Sequence, residues 1–176
     1  MSQAIKTKQS AAQSPSDLML DGVGVEQLGE IFKSAGYRIT PVEHNGARQL
    51  MSASQGIGFA VRFGNPAEAD LNRDFTLSCA LQVEGDLPTD LAPSWNRSKR
   101  FARLSSQGQF LVLDLDVVVA GGVTELHLRS MIELWDRLIQ EFLLHLRHRP
   151  ELAAAEAALG TVVQDTKLDT AQATLQ

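Results

Sequence analysis

Asp114 and Asp116 stand two residues apart in a run of alternating apolar residues. On a strand that spacing puts both carboxylates on one face, a minimal arrangement for a divalent ion or for proton transfer. Either task needs further oxygen or imidazole ligands, and no acidic cluster supplies them at recognisable spacing, so the pair reads as structural or solvated carboxylates. His145 and His148 lie three apart in HLRH, which lacks the glutamate and the spacing of the HExxH zinc motif. They suit the negative end of a helix instead. His44 and His127 have no Ser or Cys nucleophile partner in a recognisable arrangement. Cys79 is alone, which excludes an internal disulfide and a multi-cysteine zinc site, and its place on an apolar face makes it a small core residue rather than a reactive thiol. Gly22, Gly24 and Gly29 do not have GxGxxG spacing and follow no strand, so they read as a flexible helix entry. No catalytic residue, metal or cofactor is expected, and the protein does not read as an enzyme.

A basic segment offers a different chemistry. Arg97, Lys99, Arg100 and Arg103 interleave with Trp95 and Phe101, a mixture able to neutralise an anion and stack on a planar group. The chain as a whole carries a formal charge of -5, and no RNA-binding or helix-turn-helix signature surrounds the patch, which argues against nucleic acid. The candidate contacts to an anionic protein or small-molecule partner are Trp95, Asn96, Arg97, Arg100 and Arg103. The plainer account is a charged connector anchored by a buried Trp95, with Trp135 a second core anchor.

Around this segment the elements follow from periodicity. Val25, Leu28, Ile31, Phe32 and Ala35 recur at helical spacing and Gly36 stands where a left-handed cap would sit, which predicts a helix over residues 24–35. Strands are expected over 37–42, 48–53 and 57–63, separated by Asn45-Gly46 and Gln55-Gly56 turns. In the run 75–83, Phe75, Leu77, Cys79, Leu81 and Val83 alternate with Thr76, Ser78, Ala80 and Gln82, the mark of a sheet covered on one side only. A turn over 84–93 and a short helix or connector over 94–100 lead to strands over 101–105 and 110–119. If Gln107 and Gly108 form their two-residue loop, Arg103 opposes Val112 and reaches diagonally to Asp114 as a cross-strand ion pair.

The last helix is the best marked. Gly121-Gly122 lets the backbone leave the strand sharply, Thr124 is the expected N-cap, and Val123 and Leu128 form a hydrophobic staple. Leu128, Met131, Ile132, Trp135, Leu138, Ile139, Phe142 and Leu146 make one stripe. Its burial is worth on the order of 10 kcal/mol before entropy, at roughly 1.5–3 kcal/mol per large side chain. Arg147, His148 and Arg149 suit the helix end, and Pro150 stops it.

The order is therefore α-β-β-β-β-α-β-β-α, an α+β architecture with an antiparallel sheet packed on helices. A length of 176 residues with 44% hydrophobic content suits one domain, expected over 18–149. Residues 1–17, rich in Ser, Gln and Ala, read as a disordered arm, and 150–176 as a short helical turn and flexible tail. The first residues lack the apolar core of a secretory signal and no run reaches membrane-spanning length, so a cytoplasmic location without membrane attachment is expected.

The succession Trp95-Asn96, a basic segment into Phe101-Ala102-Arg103, LDLDVVVAGGVT from Leu113 to Thr124, and a helix with Trp135 and Phe142 resembles the YbjN family of bacterial sensory transduction regulators. The likeness runs over residues 20–146. It implies a fold similar to type III secretion chaperones and a non-enzymatic regulator or chaperone-like protein that dimerises and acts through protein contacts. It carries over no catalytic residues. A sensor of an anionic small molecule at the basic connector is the alternative.

Overall fold

The computed structural model describes residues 18–83 and 89–147. In chain order the elements are β1 (Met19–Leu20), α1 (Val25–Ser34), β2 (Thr40–His44), β3 (Ala47–Ser54), β4 (Ile57–Phe63), β5 (Asp74–Gln82), α2 (Leu91–Ser98), β6 (Arg103–Gln107), β7 (Phe110–Val118), β8 (Val123–Thr124) and α3 (Glu125–Arg147). The α+β order expected from sequence is present, with the two-residue strands β1 and β8 added as a separate antiparallel pair. The main sheet is six-stranded and antiparallel, in the order β2-β3-β4-β5-β7-β6. The arm 1–17, the segment 84–88 and the tail 150–176 lie outside the described residues, as do His148 and Arg149.

Local chemistry accounts for most boundaries. α1 ends at Gly36, whose φ is +92°, and the Gly36 N–H donates to Lys33 O while the Tyr37 N–H donates to Phe32 O. This is the paired bond pattern of a Schellman motif. It explains why β2 begins at Thr40 rather than at residue 37: Tyr37 is committed to the cap, its ring edge-on to Phe32 at 5.7 Å. Burial, then the nearby Asp136 carboxylate, push the Tyr37 phenol above its ordinary pKa. Asn45 and Gly46 both have positive φ, as do Gln55 and Gly56, so two tight turns of the kind that match strand twist join β2 to β3 and β3 to β4.

The β6–β7 hairpin departs from expectation. Gln107 pairs with Phe110, so the loop is Gly108-Gln109, and Gly108 at φ +59° occupies the first loop position. Arg103 consequently stands directly opposite Asp114 instead of Val112. α2 also begins earlier than expected, because Pro93 lies in its first turn, where the missing N–H is no loss.

One face of the sheet is the core. Leu50, Phe59, Val61, Phe75, Leu77, Cys79, Leu104, Leu111, Leu113, Leu115 and Val117 are buried there. Phe59 meets Phe32 of α1 at 6.2 Å and Trp135 of α3 at 5.8 Å between ring centroids, so α1 and the first half of α3 cover this face. On the opposite face Ala53, Gly58, Arg62, Ala80 and Asp116 are exposed.

Thr124 caps α3 as expected, its Oγ1 accepting the His127 N–H at 3.2 Å. The compact units are Met1–Asp136 and Arg137–Gln176. In the second, the described residues are the C-terminal half of α3, with Leu138, Ile139 and Phe142 buried at helical spacing.

Candidate partner-binding site at the basic connector

α2 presents Leu91 and Trp95, one turn apart, as its buried face. The Trp95 indole N–H donates to the Ala102 carbonyl oxygen at 3.0 Å, which pins the far end of the connector to the helix. Next to it the Asn96 side chain donates to Leu104 O and accepts the Leu104 N–H, both at 2.9 Å. The buried Trp95 and the exposed Asn96 thus pin the connector, and Arg97, Arg100 and Arg103 are exposed beside them.

Between those pins the backbone is forced into an unusual shape. Phe101 has a φ of +76°, and the Ala102 N–H donates to Arg100 O at 3.0 Å across it. A two-residue-span hydrogen bond over a positive-φ centre is a γ-turn, a strained conformation for a bulky L-residue. The Phe101 side chain is 64% exposed, so no burial of its ring compensates that strain. The Arg100 guanidinium lies 5.1 Å from the centre of the Phe101 ring, and the Lys99 ammonium 5.9 Å from the Trp95 ring. The apex is therefore a cation stacked on an aromatic plane, displayed outward.

Phe101 is named by sequence as an aromatic of the basic patch but is expected there as the first residue of a strand; its turn is not foreseen, since a positive φ at phenylalanine has no sequence signal. Arg103 lies just past the apex on the outer sheet face, with 3.9 Å between its guanidinium and the Asp116 carboxylate. Its ion pair is with Asp116 and not with Asp114, following the shifted register. Both partners are more than half exposed, so solvent and salt screen the pair.

The two strand carboxylates have distinct surroundings. Asp114, nearly buried, accepts from Ser78 Oγ at 2.7 Å and from Arg62 at 3.0 Å. Asp116 accepts from Thr76 Oγ1 at 2.7 Å. These bonds give both carboxylates structural partners, and no group of three or more potential metal ligands occurs among the described residues. Cys79 is fully buried, and burial pushes its thiol up to about 11, so it is not poised as a nucleophile.

Elsewhere an open cleft of about 780 Å³ lies between β1, α1 and the loop over 67–73, with Asp21, Glu68 and Arg73 among its lining residues. Among the described residues no helix is long and apolar enough to cross a membrane. The model of the YbjN family, described as putative bacterial sensory transduction regulator, matches residues 24–148, from the start of α1 past the end of α3. No curated protein matches the chain.

Proposed function

Because the chain belongs to the YbjN family of bacterial regulators, we propose that it is a non-enzymatic regulator acting through protein–protein contact. In this reading it is a cytoplasmic homodimer with a chaperone-like use of its helix–sheet–helix order, and the connector apex receives an acidic protein partner. The observation that carries it is the exposed Phe101 at the centre of a γ-turn with Arg100 stacked upon it. Strain at an exposed aromatic does nothing for the isolated fold, and such outliers cluster where a ligand is gripped. The stacked pair offers an acidic partner both a cation and an apolar plane.

Phe101→Gly separates this role from folding. Glycine accepts the positive φ without strain, so the variant should be at least as stable as the parent. In cross-linking capture from cells, proteins enriched by the parent chain should be lost with Phe101→Gly and with Arg100→Glu. Equal enrichment by all three chains, or none by the parent, overturns the reading.

A small-molecule sensor is the second reading, and the 780 Å³ cleft favours it. Its lining has both signs of charge, so it suits a ligand bearing both an acidic and a basic group more than a purely anionic one. A thermal-shift screen of zwitterionic and anionic metabolites distinguishes these, because a saturating ligand raises the melting temperature.

A further inference from the structure

The outer face of the main sheet is built to meet itself. Register pairs place Val42, Gln49, Arg62, Thr76 and Asp116 in one row across five strands, and Thr40, Met51, Ala60, Ser78, Asp114 and Arg103 in the next. β5 lies midway between β4 and β7, so Arg62 and Asp116 sit in the same row at equal distance from it. A two-fold axis running along β5 would set β4 of one copy on β7 of the other. Each Arg62 then faces the second copy's Asp116, and this happens twice, as symmetry requires.

Shape follows the same rule. The outer side of β7 carries Val112 and Asp114, both nearly buried within the chain, and the exposed Asp116 and Val118. In the rows that face these residues, β4 offers Ala60 opposite Asp114, and the adjoining Gly64, whose N–H donates to Asp74 O, opposite Val118. At that end the exposed Val118 of β7 stands across from a residue without a side chain. Gly64 has a reason within its own chain, because a Cβ there would collide with the Asp74 carboxylate. Gly58 has none: a Cβ would meet nothing closer than Ser52 O at 4.0 Å. A glycine within a strand weakens it and often marks the close approach of another backbone or ligand, and Gly58 is the second residue of β4.

The face also has the extent a dimer needs. At ~4.8 Å between strands and ~3.3 Å per residue, six strands cover roughly 500–800 Å² per copy, near the ~800 Å² per partner of a standard interface. Arg62 donates to Asp114 and is about half exposed, leaving further N–H groups for a second carboxylate.

We propose that the outer sheet face is the homodimer interface, two copies packing sheet on sheet about an axis along β5, with Arg62 paired to Asp116 across it. This rests on the homodimer reading above and names its surface.

The test is sedimentation of the full chain over a dilution series. The parent should be a dimer. Gly58→Val adds bulk to the exposed outer side of β4 at a position with room in the monomer and should raise the dissociation constant at least about 30-fold. Its melting temperature at monomeric dilution should not fall. Asp116→Arg should weaken the dimer at least about 10-fold, and the double variant Arg62→Glu with Asp116→Arg should recover to within about 3-fold of the parent. If Gly58→Val fails to fold, the charge exchange decides alone. A parent dimer indifferent to these variants overturns the assigned face and leaves the homodimer reading standing. A parent that stays monomeric at high micromolar concentration overturns both.

Discussion

The amide of Asn96 closes on the backbone of Leu104 from both sides, donating to its carbonyl oxygen and accepting its N–H at 2.9 Å each. β6 is an edge strand, so these two backbone groups would otherwise have only water or another chain to pair with. One side chain acts there as a short substitute for a neighbouring strand. It also fixes the distance between α2 and the sheet, on which the connector depends.

Asn96→Ala should lower the unfolding free energy by about 1–2 kcal/mol, since two hydrogen bonds to a partly buried backbone are lost. Asn96→Asp keeps the shape and one acceptor but sets a carboxylate against Leu104 O, and should fall at least as far. Urea unfolding of the two variants checks this order. A smaller loss for Asn96→Asp than for Asn96→Ala would show that shape matters more than the donor.

The two tryptophans are equally buried and should not respond equally. Trp95 has an acceptor in Ala102 O, whereas the buried Trp135 N–H has no partner among the described residues. Replacement by Phe shrinks both sites. At Trp95 it also orphans a carbonyl, while at Trp135 it removes an N–H whose burial is already uncompensated, a difference of roughly 2 kcal/mol. Trp95→Phe should therefore be the more destabilising in calorimetry, and the reverse order would contradict the hydrogen-bond assignment.

Cys79 makes a pH prediction. Burial raises its pKa from 9.0 to about 11, so the fold favours the neutral thiol. The associated stability is complete below pH 9, where the thiol is neutral in both states, and is lost as pH rises through about 11. At ~1.36 kcal/mol per pKa unit the loss is on the order of 3 kcal/mol. Comparing the pH dependence of Cys79→Ala with that of the parent isolates it from other groups. The thiol should also resist alkylation at pH 8 until denaturant is added, and rapid native-state labelling would show that the site opens.

Much of the fold was legible because it rests on local chemistry. The Thr124 cap, the Gly36 terminator, the Asn45-Gly46 and Gln55-Gly56 turns and the alternation around Cys79 each need only neighbours in sequence. The errors arose where two local solutions compete. Gln107-Gly108 and Gly108-Gln109 are both plausible loops, and the pairing of Leu104 with Leu113 and of Gln107 with Phe110 decides between them. Pro93 reads as a breaker or as a first-turn residue, and the burial of Leu91 and Trp95 selects the second. In the candidate site the basic residues, the anchoring Trp95 and the aromatic Phe101 were visible, whereas the hydrogen bonds of Trp95 and Asn96 to the connector and the positive φ of Phe101 were not, because they depend on contacts at either end of the segment.

The small β1–β8 pair has a consequence for synthesis. Met19 pairs with Thr124 and Leu20 with Val123, and the Gly121 N–H donates to Asp21 across 100 residues of chain. A polypeptide leaving the ribosome can assemble β2 through β5 by short hairpins and a nearby return, all of low contact order. The strand at Met19 has no such option. Within the domain it is translated before α1 and the main sheet, yet it must stay unpaired until β8 has been made. Its closure is then a natural last step, one that joins the start of the domain to the capped end of α3.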